Sequence, residues 1–420
     1  MRLAGPASAR PEPAGLRVVL DARPLQDPER SPVTARYLEG LLGAYDAEPI
    51  PGESFAFLLQ SDLDDPMDAF PNLEIVGRRL MPPTRLLRGG ALAVDPFLLR
   101  GASLGIAWRA ERSGAAGAVY HAVAGAAPVF SRLPIVVTLL DLAPWELPGA
   151  FQRGPASRFG QRLRRRLVRD AAAVIVASPA VARQARRLLR LEESRVHVVP
   201  LAPHPAYATA DASSAAALEE RRRLGLGERY LVYVGRHDAR HDLVTLLRAL
   251  SLTAAMRRPR GLPQAVNWPP QVLVVGATPD DRAALARAAA RENVADALVY
   301  APALPPERLA ALVAGARAAV QPALSDAAGL AALDALAAGV PVVATSVGAL
   351  PDVVGSAGIL VGPRDPDRLA KALRAAWADE RVHASLRAAA VEREMGRRTW
   401  ADVAWETRSI YAEVGLRRRD

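Results

Sequence analysis

The sequence predicts an α/β protein of two domains, each built around a parallel β-sheet. At 420 residues the chain exceeds the size, roughly 250 to 300 residues, at which a single hydrophobic core stops growing. Short apolar runs, several of them rich in β-branched residues, alternate with stretches of helical periodicity, and this alternation is typical of βαβ units. The runs form two series with a proline-rich segment between them. We therefore expect two sheets, each in its own domain.

The first series predicts the strands of an N-terminal domain at residues 16–200. Its runs are Leu16–Leu20, Phe55–Leu59, Leu73–Val76, Ala118–Tyr120, Ile135–Leu139, Ala173–Val176 and Val196–Val199. Residues 1–15 alternate Pro, Ala and Arg and contain no continuous apolar segment. We expect them to be disordered rather than a secretory signal.

The second series predicts a C-terminal domain at residues 228–395. Its runs are Tyr230–Val234, Val272–Val275, Ala297–Tyr300, Ala318–Val320, Val342–Ala344 and Gly358–Val361. Residues 201–227 contain two prolines and a charged helical stretch, which fits a linker or hinge. Within residues 396–420, Trp400–Val414 has apolar residues at helical spacing, which predicts a helix that packs across one or both domains.

Composition excludes several classes of site. The chain has no cysteine, so it has no disulfide, thiolate nucleophile or cysteine-bound metal, and its histidines form no HExxH motif. No apolar run approaches the roughly 18 to 20 residues that span a bilayer, and we expect a cytoplasmic protein. The net charge of +10 attracts phosphate-rich partners in general, but no nucleic-acid-binding module accompanies it. We predict no nucleic-acid partner.

One segment of the second domain carries a recognisable pattern. Residues 321–341 read QPALSDAAGLAALDALAAGVP, in which a loop with an acid and Gly329 leads from a strand into a helix. This order and spacing resembles the retaining GT-B glycosyltransferases of family 4, whose signature is Pro-Ser-x-x-Glu-Gly-Phe-Gly-Leu-Pro. The family's two glutamates fall on Asp326 and Asp334, eight residues apart. The resemblance spans residues 16–414 and implies two Rossmann-like domains whose parallel sheets face a cleft.

The start of this helix is suited to binding an anion, independently of the family resemblance. N–H groups at Ala328, Gly329 and Leu330 would present positive partial charge to a nucleoside diphosphate. The resemblance implies that Asp334 binds ribose hydroxyls and that Asp326 binds hexose hydroxyls. Because Asp is one methylene shorter than Glu, the ligand would sit closer or a water would bridge the gap. The alternative interpretation is that Asp326 only caps the helix.

A second segment of the same domain resembles the family. Residues 233–250 read YVGRHDARHDLVTLLRAL and are similar to its strand, Gly-Arg turn, Arg-Lys loop and helix. Gly235 would let the chain turn off the strand, and the resemblance implies that Arg236 contacts the diphosphate. His241 takes the place of the family's lysine, and since an imidazole is only fractionally cationic at pH 7, Arg240 is the expected substitute. A solvated loop is the alternative.

The opening of the chain resembles the acceptor side of the family. There, a first strand leads through a Gly-Ile-Gly-Arg-Tyr loop into a helix. Arg36 and Tyr37 are retained, whereas Val33 and Ala35 replace the two glycines. The loop therefore loses the backbone freedom that permits close approach to a ligand.

Two further positions resemble the acceptor side. The segment VVTLLDLAP at residues 136–144 is similar to a family segment that reads Val-Thr-Ile-His-Asp-Leu. Asp141 is retained, and Leu140 stands in place of the histidine. His121 ends another family-like strand, and it either faces the cleft or is a structural residue.

One predicted helix of the first domain has a strongly basic face. Five arginines recur there at helical spacing: Arg158, Arg162, Arg165, Arg166 and Arg169. Such a face would attract an anionic membrane, at about 1 kcal/mol per cation, and would place the protein at the inner face of that membrane. A solvated face is the other interpretation.

The sequence thus predicts an enzyme that transfers a hexose from a nucleoside-diphosphate sugar to a glycan, lipid or small-molecule acceptor, with retention at the anomeric carbon. Arg236, Arg240 and Asp326 are the predicted catalytic residues. No metal or cofactor is expected, because the arginines and the helix-start amides near Gly329 would stabilise the leaving diphosphate. Departures from the family pattern keep a second hypothesis open, a catalytically silent module that binds a nucleotide or a partner. A nucleotide-sugar epimerase is the third.

Overall fold

The computed structural model describes residues 16–84, 91, 93–100, 117–123, 127–395 and 398–416. The segment 1–15, predicted to be disordered, lies outside the described residues. The chain divides into two compact units. The first comprises Met1–Leu201 and Thr399–Asp420, and the second comprises Ala202–Arg398.

The sheet of the first unit has seven parallel strands in the order β3-β2-β1-β4-β5-β6-β7. They are β1 (Leu16–Asp21), β2 (Ser54–Gln60), β3 (Ile75–Met81), β4 (Gly117–Ala122), β5 (Ile135–Leu139), β6 (Ala173–Val176) and β7 (Val196–Val198). Most predicted runs coincide with these strands to within two residues. Strand β3 continues five residues beyond the predicted run, to Met81, because an edge strand buries little apolar surface and its extension carries no continuous apolar signal.

Six helices of the first unit have a proline at or next to their first residue. In chain order they are α1 (Arg23–Gln26), α2 (Pro32–Ala47), α3 (Ala143–Glu146), α4 (Pro148–Phe151), α5 (Pro155–Arg169) and α6 (Pro179–Leu189). Residues 93–100 are also helical. Each of the six has a proline at its first or second position, where no intrahelical hydrogen bond is lost. Many of the chain's prolines therefore start helices rather than break them.

The sheet of the second unit has six parallel strands in the order β10-β9-β8-β11-β12-β13. They are β8 (Leu231–Val234), β9 (Val272–Val275), β10 (Leu298–Ala301), β11 (Ala318–Gln321), β12 (Val342–Thr345) and β13 (Gly358–Val361). All six predicted runs coincide with these strands to within one residue. The four inner strands β8, β9, β11 and β12 are buried almost throughout, and strands buried on both faces carry continuous apolar runs. The edge strands β10 and β13 are only partly buried but keep an apolar run.

Eight helices surround this second sheet within the described residues. They are α7 (Ala215–Arg223), α8 (Leu243–Ala255), α9 (Pro279–Arg291), α10 (Pro306–Ala314), α11 (Leu330–Ala337), α12 (Leu350–Val354), α13 (Pro366–Ala378) and α14 (Glu380–Met395). Helices α8 and α13 pack together, and Tyr233 and Trp377 are among the fully buried side chains of the core on that side. Residues 202–227, predicted as a linker, lie in this unit and include α7.

The last helix, α15 (Trp400–Leu416), returns to the first unit and packs against α2, β1 and β4. Its first residue, Trp400, packs so closely against α2 that position 40 must be glycine: a Cβ at Gly40 would lie 2.2 Å from the ring of Trp400. Farther along, Arg408 forms an ion pair with Glu53 at 2.7 Å, and both side chains are buried. The C-terminal helix is therefore part of the first unit's core.

The strand orders determine where a ligand site is expected. In each sheet the chain winds outward in one direction, returns, and winds outward in the other, so the order reverses between β1 and β4 and between β8 and β11. Ligands of such doubly wound sheets bind outside the carboxyl ends of the strands at this reversal.

Candidate functional site

The two predicted donor-binding segments meet at the reversal point of the second sheet. One follows β8 and the other follows β11, the two neighbouring strands. Their loops are hydrogen-bonded to each other: Asp242 N–H donates to Pro322 O over 2.7 Å, and Leu324 N–H donates to Arg240 O over 2.6 Å. The fold thus brings together residues that are some 80 positions apart in the chain.

Gly235 makes the turn off β8 that its position predicts. Its φ is 154°, and a Cβ built there would lie 2.7 Å from the Tyr233 hydroxyl. That hydroxyl donates a hydrogen bond to the Arg236 carbonyl over 2.7 Å. A side chain at position 235 would therefore disrupt the contact that shapes the loop.

Arg236 is oriented by a neighbouring helix. Its Nε donates to Oδ2 of Asp281 over 2.8 Å, and the same oxygen accepts the Thr278 N–H that begins α9. Partial burial raises the pKa of Asp281, but the hydrogen bonds from Arg236 and Thr278, together with the charge of Arg236, hold that pKa below its usual range. The carboxylate stays ionised, and the half-exposed guanidinium is held at the reversal point.

Arg240 and His241 are both held by Asp238. This carboxylate accepts the Arg240 N–H over 2.8 Å and a bond from its guanidinium, and it lies 3.0 Å from Nδ1 of His241. Burial raises the pKa of Asp238, but the His241 hydrogen bond and the neighbouring cations hold it well below its usual range. His237 and His241 are four residues apart, but they lie in a loop, so this spacing does not produce the paired ligands of a helical metal motif.

Asp326 caps the loop that leads into α11. Its Oδ1 accepts the N–H of Ala328 over 3.1 Å and of Gly329 over 2.7 Å. Two of the three amides predicted to bind a diphosphate are therefore occupied by this carboxylate in the structure. Leu330, whose N–H lies in the first turn of α11 and so has no intrahelical acceptor, is the third; its side chain is buried. The capping interpretation of Asp326 describes this arrangement.

Two glycines allow the close packing around Asp326. Gly329 has φ of 67° at the start of α11, and a Cβ there would lie 2.9 Å from Val353. Gly348 has φ of 54°, and a Cβ there would lie 1.8 Å from the Asp326 carbonyl oxygen. That oxygen accepts the Ala349 N–H over 2.7 Å. Both positions require glycine on grounds of conformation and of space.

Asp334 does not present its carboxylate to solvent. The side chain is buried, with 3% exposure, and Oδ1 accepts the backbone N–H of His204 over 3.0 Å. A small cavity beside it is lined by Tyr207, Gln321 and Ala331, among others. The prediction that Asp334 binds ribose hydroxyls is not met in this arrangement, because its position in α11 faces the segment that follows residue 201.

The predicted acceptor residues Tyr37 and His121 also lie in a core. Both side chains are fully buried in the first unit. His121 contacts Thr138 Oγ1 through Nε2 at 2.7 Å and the Tyr411 hydroxyl through Nδ1 at 2.6 Å, and the Tyr37 hydroxyl lies 3.3 Å from the same Thr138 oxygen. Burial lowers the pKa of His121 to about 3. In this arrangement His121 is a structural residue, the second of the two interpretations that its sequence position allows. Neither Tyr37 nor His121 presents its side chain to an acceptor here.

Arg36 and Asp141 are the two predicted acceptor residues that are not fully buried. Oδ1 of Asp141 accepts the Ala143 N–H over 2.9 Å and so stabilises the start of α3. Leu140, which stands in place of the family's histidine, is buried with 6% exposure.

Three residues that shape the candidate donor site were not predicted from the sequence: Asp238, Asp281 and Gly348. For Asp281 the sequence did contain a signal. Thr-Pro-Asp-Asp, residues 278–281, is a helix-start pattern in which Thr278 is the N-cap and Asp281 is the acid at the third helical position.

In the described ranges the chain contains no helix with the length and apolarity that crossing a membrane requires.

Comparison with known proteins agrees with this fold. A family model described as glycosyl transferases group 1 matches residues 228–379, and one described as glycosyltransferase family 4 matches residues 111–202. The fold has the GT-B architecture. Over these two ranges the chain is similar to glycosyltransferases of group 1 and of family 4.

Curated relatives are similar to part of the chain. The chain is 34% identical over 227 residues to a D-inositol 3-phosphate glycosyltransferase of Acidothermus cellulolyticus, and the match covers 50% of this chain and 48% of that protein. It is 34% identical over 143 residues to the O-antigen chain mannosyltransferase B of Escherichia coli, a match that covers 33% of this chain and 34% of the relative. The chain thus spans about half or less of the length of these two relatives.

Solved structures share the fold over nearly the whole chain. A sucrose-phosphate synthase from Thermosynechococcus elongatus has a TM-score of 0.68 at 20% identity, covering 95% of this chain and 98% of its own. HepE of Anabaena in complex with UDP has a TM-score of 0.65 at 16% identity, covering 94% of this chain and 99% of its own. At these identities the comparison shows the fold alone.

Proposed function

We propose that this protein transfers a hexose from a nucleoside-diphosphate sugar to an acceptor hydroxyl with retention at the anomeric carbon. The observation that carries the proposal is the convergence of Arg236, Arg240 and the start of α11 at the reversal point of the second sheet. Two guanidinium groups and helix-start amides suit a diphosphate. HepE, which has the same fold, was solved with UDP and with UDP-glucose.

In the proposed reaction the protein must stabilise the leaving nucleoside diphosphate. The bond between the anomeric carbon and the diphosphate oxygen breaks, and a bond to the acceptor oxygen forms on the same face. Negative charge develops on the departing diphosphate, whose oxygen takes the proton of the acceptor hydroxyl. Arg236 and Arg240 would oppose that charge at the moment it forms. In this proposal the arginines supply the neutralisation that a divalent cation supplies in other enzymes, and no resident cofactor takes part.

Donor binding would exchange internal contacts for ligand contacts. Arg236 and Arg240 are paired with Asp281 and Asp238, and Asp326 occupies two amides. A diphosphate that enters this site would compete with these carboxylates for the same donors. The loop between β8 and α8 would then be rearranged, and affinity would depend on the difference between the two sets of bonds.

A second candidate function is a module that binds a nucleotide or a partner without turnover. The observation that favours it is that both predicted acids accept backbone N–H groups: Asp326 from its own loop and Asp334 from His204. In this arrangement both carboxylates contact the protein backbone rather than a sugar.

One experiment separates the two functions. Nucleoside diphosphates and their sugars are screened by thermal shift, and every ligand that stabilises the protein is then tested for transfer to an added acceptor. Arg236→Ala is the site variant, and Arg287→Ala, at an exposed position of α9, is its control. Stabilisation and transfer that both depend on Arg236 support the enzyme, and stabilisation without turnover supports the silent module. If no diphosphate and no sugar donor stabilises the wild-type protein, the enzyme and the nucleotide-binding module both fail, and only the partner-binding module is left.

A further inference from the structure

The basic face of α5 is exposed on the surface of the first unit. Its arginines Arg158, Arg162, Arg165, Arg166 and Arg169 are all exposed, and Phe159 among them is 47% exposed. Positions 158, 162, 165 and 169 follow the spacing of one helical stripe, about 16 Å long. The helix contains no acidic residue.

Few carboxylates neutralise this stripe. Among the described residues, Arg166 has an ion pair with Asp170, at 3.7 Å and on the surface, whereas Arg158, Arg162, Arg165 and Arg169 have no carboxylate within ion-pair distance. The adjoining helix α6 is also free of acids, and it adds the exposed Arg183 and Arg187. Together these two helices carry seven exposed arginines and no acid.

The opposite face of α5 is occupied within the unit. Leu167 and Val168 are buried in the core, and Arg164, also buried, lies over the ring of Trp145 at 4.6 Å. This apolar face cannot insert into a lipid bilayer without unfolding the unit. Any attachment through α5 must therefore come from the arginines and Phe159.

We propose that the arginine stripe of α5 with Phe159 binds the surface of an anionic lipid membrane. A straight row of cations that protrudes from a helix matches a planar array of phosphate headgroups, and a surface phenylalanine can enter the interfacial region. Attachment that rests on exposed cations is reversed by salt. This inference does not depend on the proposed transferase activity.

The test uses the full-length protein and sedimenting vesicles. One set contains phosphatidylcholine alone, and the other contains about one third phosphatidylglycerol. The site variant is the triple substitution Arg158→Gln, Arg162→Gln and Arg165→Gln. The control triple variant, Arg287→Gln, Arg374→Gln and Arg387→Gln, removes the same charge from exposed helix positions of the second unit. Thermal unfolding of each variant checks that it remains folded.

We expect the wild-type protein to bind the anionic vesicles but not the neutral ones. The α5 triple variant should bind about a hundredfold more weakly, since each cation at an anionic surface contributes about a fivefold factor, and the control should bind nearly as the wild type does. Phe159→Ser should lower the salt concentration at which the protein is released. Equal losses in the two triple variants, or no binding of the wild type to anionic vesicles, would overturn the proposal. Loss of binding to a single-stranded oligonucleotide by the α5 variant, with vesicles unbound by the wild type, would assign the stripe to nucleic acid instead.

Discussion

Arg236 donates from Nε to Oδ2 of Asp281 over 2.8 Å, in a contact that joins the loop after β8 to the start of α9. Arg240 is held differently, by Asp238 two residues before it in its own loop. When that loop moves, Arg240 and its partner move together, whereas Arg236 is anchored to an element outside the loop. The two arginines therefore make separable contributions to a diphosphate site.

Arg236→Ala should weaken UDP binding more than Arg240→Ala. Arg236 is anchored in position by α9, so it loses less side-chain entropy on binding a ligand. Loss of its charge-assisted contact should cost about 1.5 to 3 kcal/mol, which titration calorimetry resolves. Arg287→Ala on the same helix should leave the affinity unchanged. Equal losses for Arg236→Ala and Arg240→Ala would show that the anchored arginine has no special role.

Asp326→Ala should change stability and ligand affinity in opposite directions. The substitution removes the acceptor of two amides, so the free energy of unfolding should fall by about 0.5 to 2 kcal/mol. UDP affinity should rise, because a carboxylate no longer competes for those amides. Chemical denaturation and calorimetry measure the two quantities. Asp326→Asn keeps an acceptor oxygen and serves as the matched control. Weaker UDP binding by a stable Asp326→Ala protein would contradict this competition.

Asp334→Ala should destabilise the second unit by about 1 to 3 kcal/mol, because it leaves the His204 N–H without its acceptor. Asp334→Asn retains an oxygen at that position and should be milder. Comparing UDP with inorganic pyrophosphate then tests for a ribose contact. If the carboxylate acts only within the fold, both ligands should be affected alike. A loss of affinity for UDP alone would restore the ribose role that the sequence implies.

His121 should make the first unit less stable in acid. Burial lowers its pKa to about 3, below the unfolded value of about 6.5. Between these values the unfolded state binds the extra proton, so the free energy of unfolding should decrease as pH falls through this window, by up to about 1.4 kcal/mol per pH unit. Above it, the contribution is constant. Urea titrations of the wild type and His121→Gln should show a shallower pH slope in the variant.

Arg408 and Glu53 should be strongly coupled. Their buried pair lies 2.7 Å apart, and the guanidinium also lies over the ring of Tyr45 at 4.4 Å. Removing either partner leaves a buried charge without compensation, at a cost of about 3 to 5 kcal/mol. The double variant Arg408→Met, Glu53→Gln should lose less than the sum of the single changes. Additive losses in this double-mutant cycle would contradict a direct interaction.

Local pattern alone predicted most of the architecture. Strands buried on both faces produce continuous apolar runs, which is why the four inner strands of the second unit were found within one residue. Its two edge strands are only partly buried but also carry apolar runs, and they were found equally well. Gly235 and the start of α11 were also placed correctly, because a turn with positive φ and a helix start each leave a signal in a few adjacent residues. The order of these elements brought the two donor segments to one end of the sheet.

The tertiary structure decided which polar groups remain available to a ligand. Asp238 and Asp281 pair with the predicted cations Arg240 and Arg236. The backbone N–H of His204 donates a hydrogen bond to the carboxylate of Asp334, 130 positions away in the chain. His121 is buried against Tyr411, 290 positions later. A sequence pattern identifies a carboxylate or an imidazole, but its hydrogen-bond partner depends on which distant segment packs against it. That contact exists only once the sheets and helices have assembled.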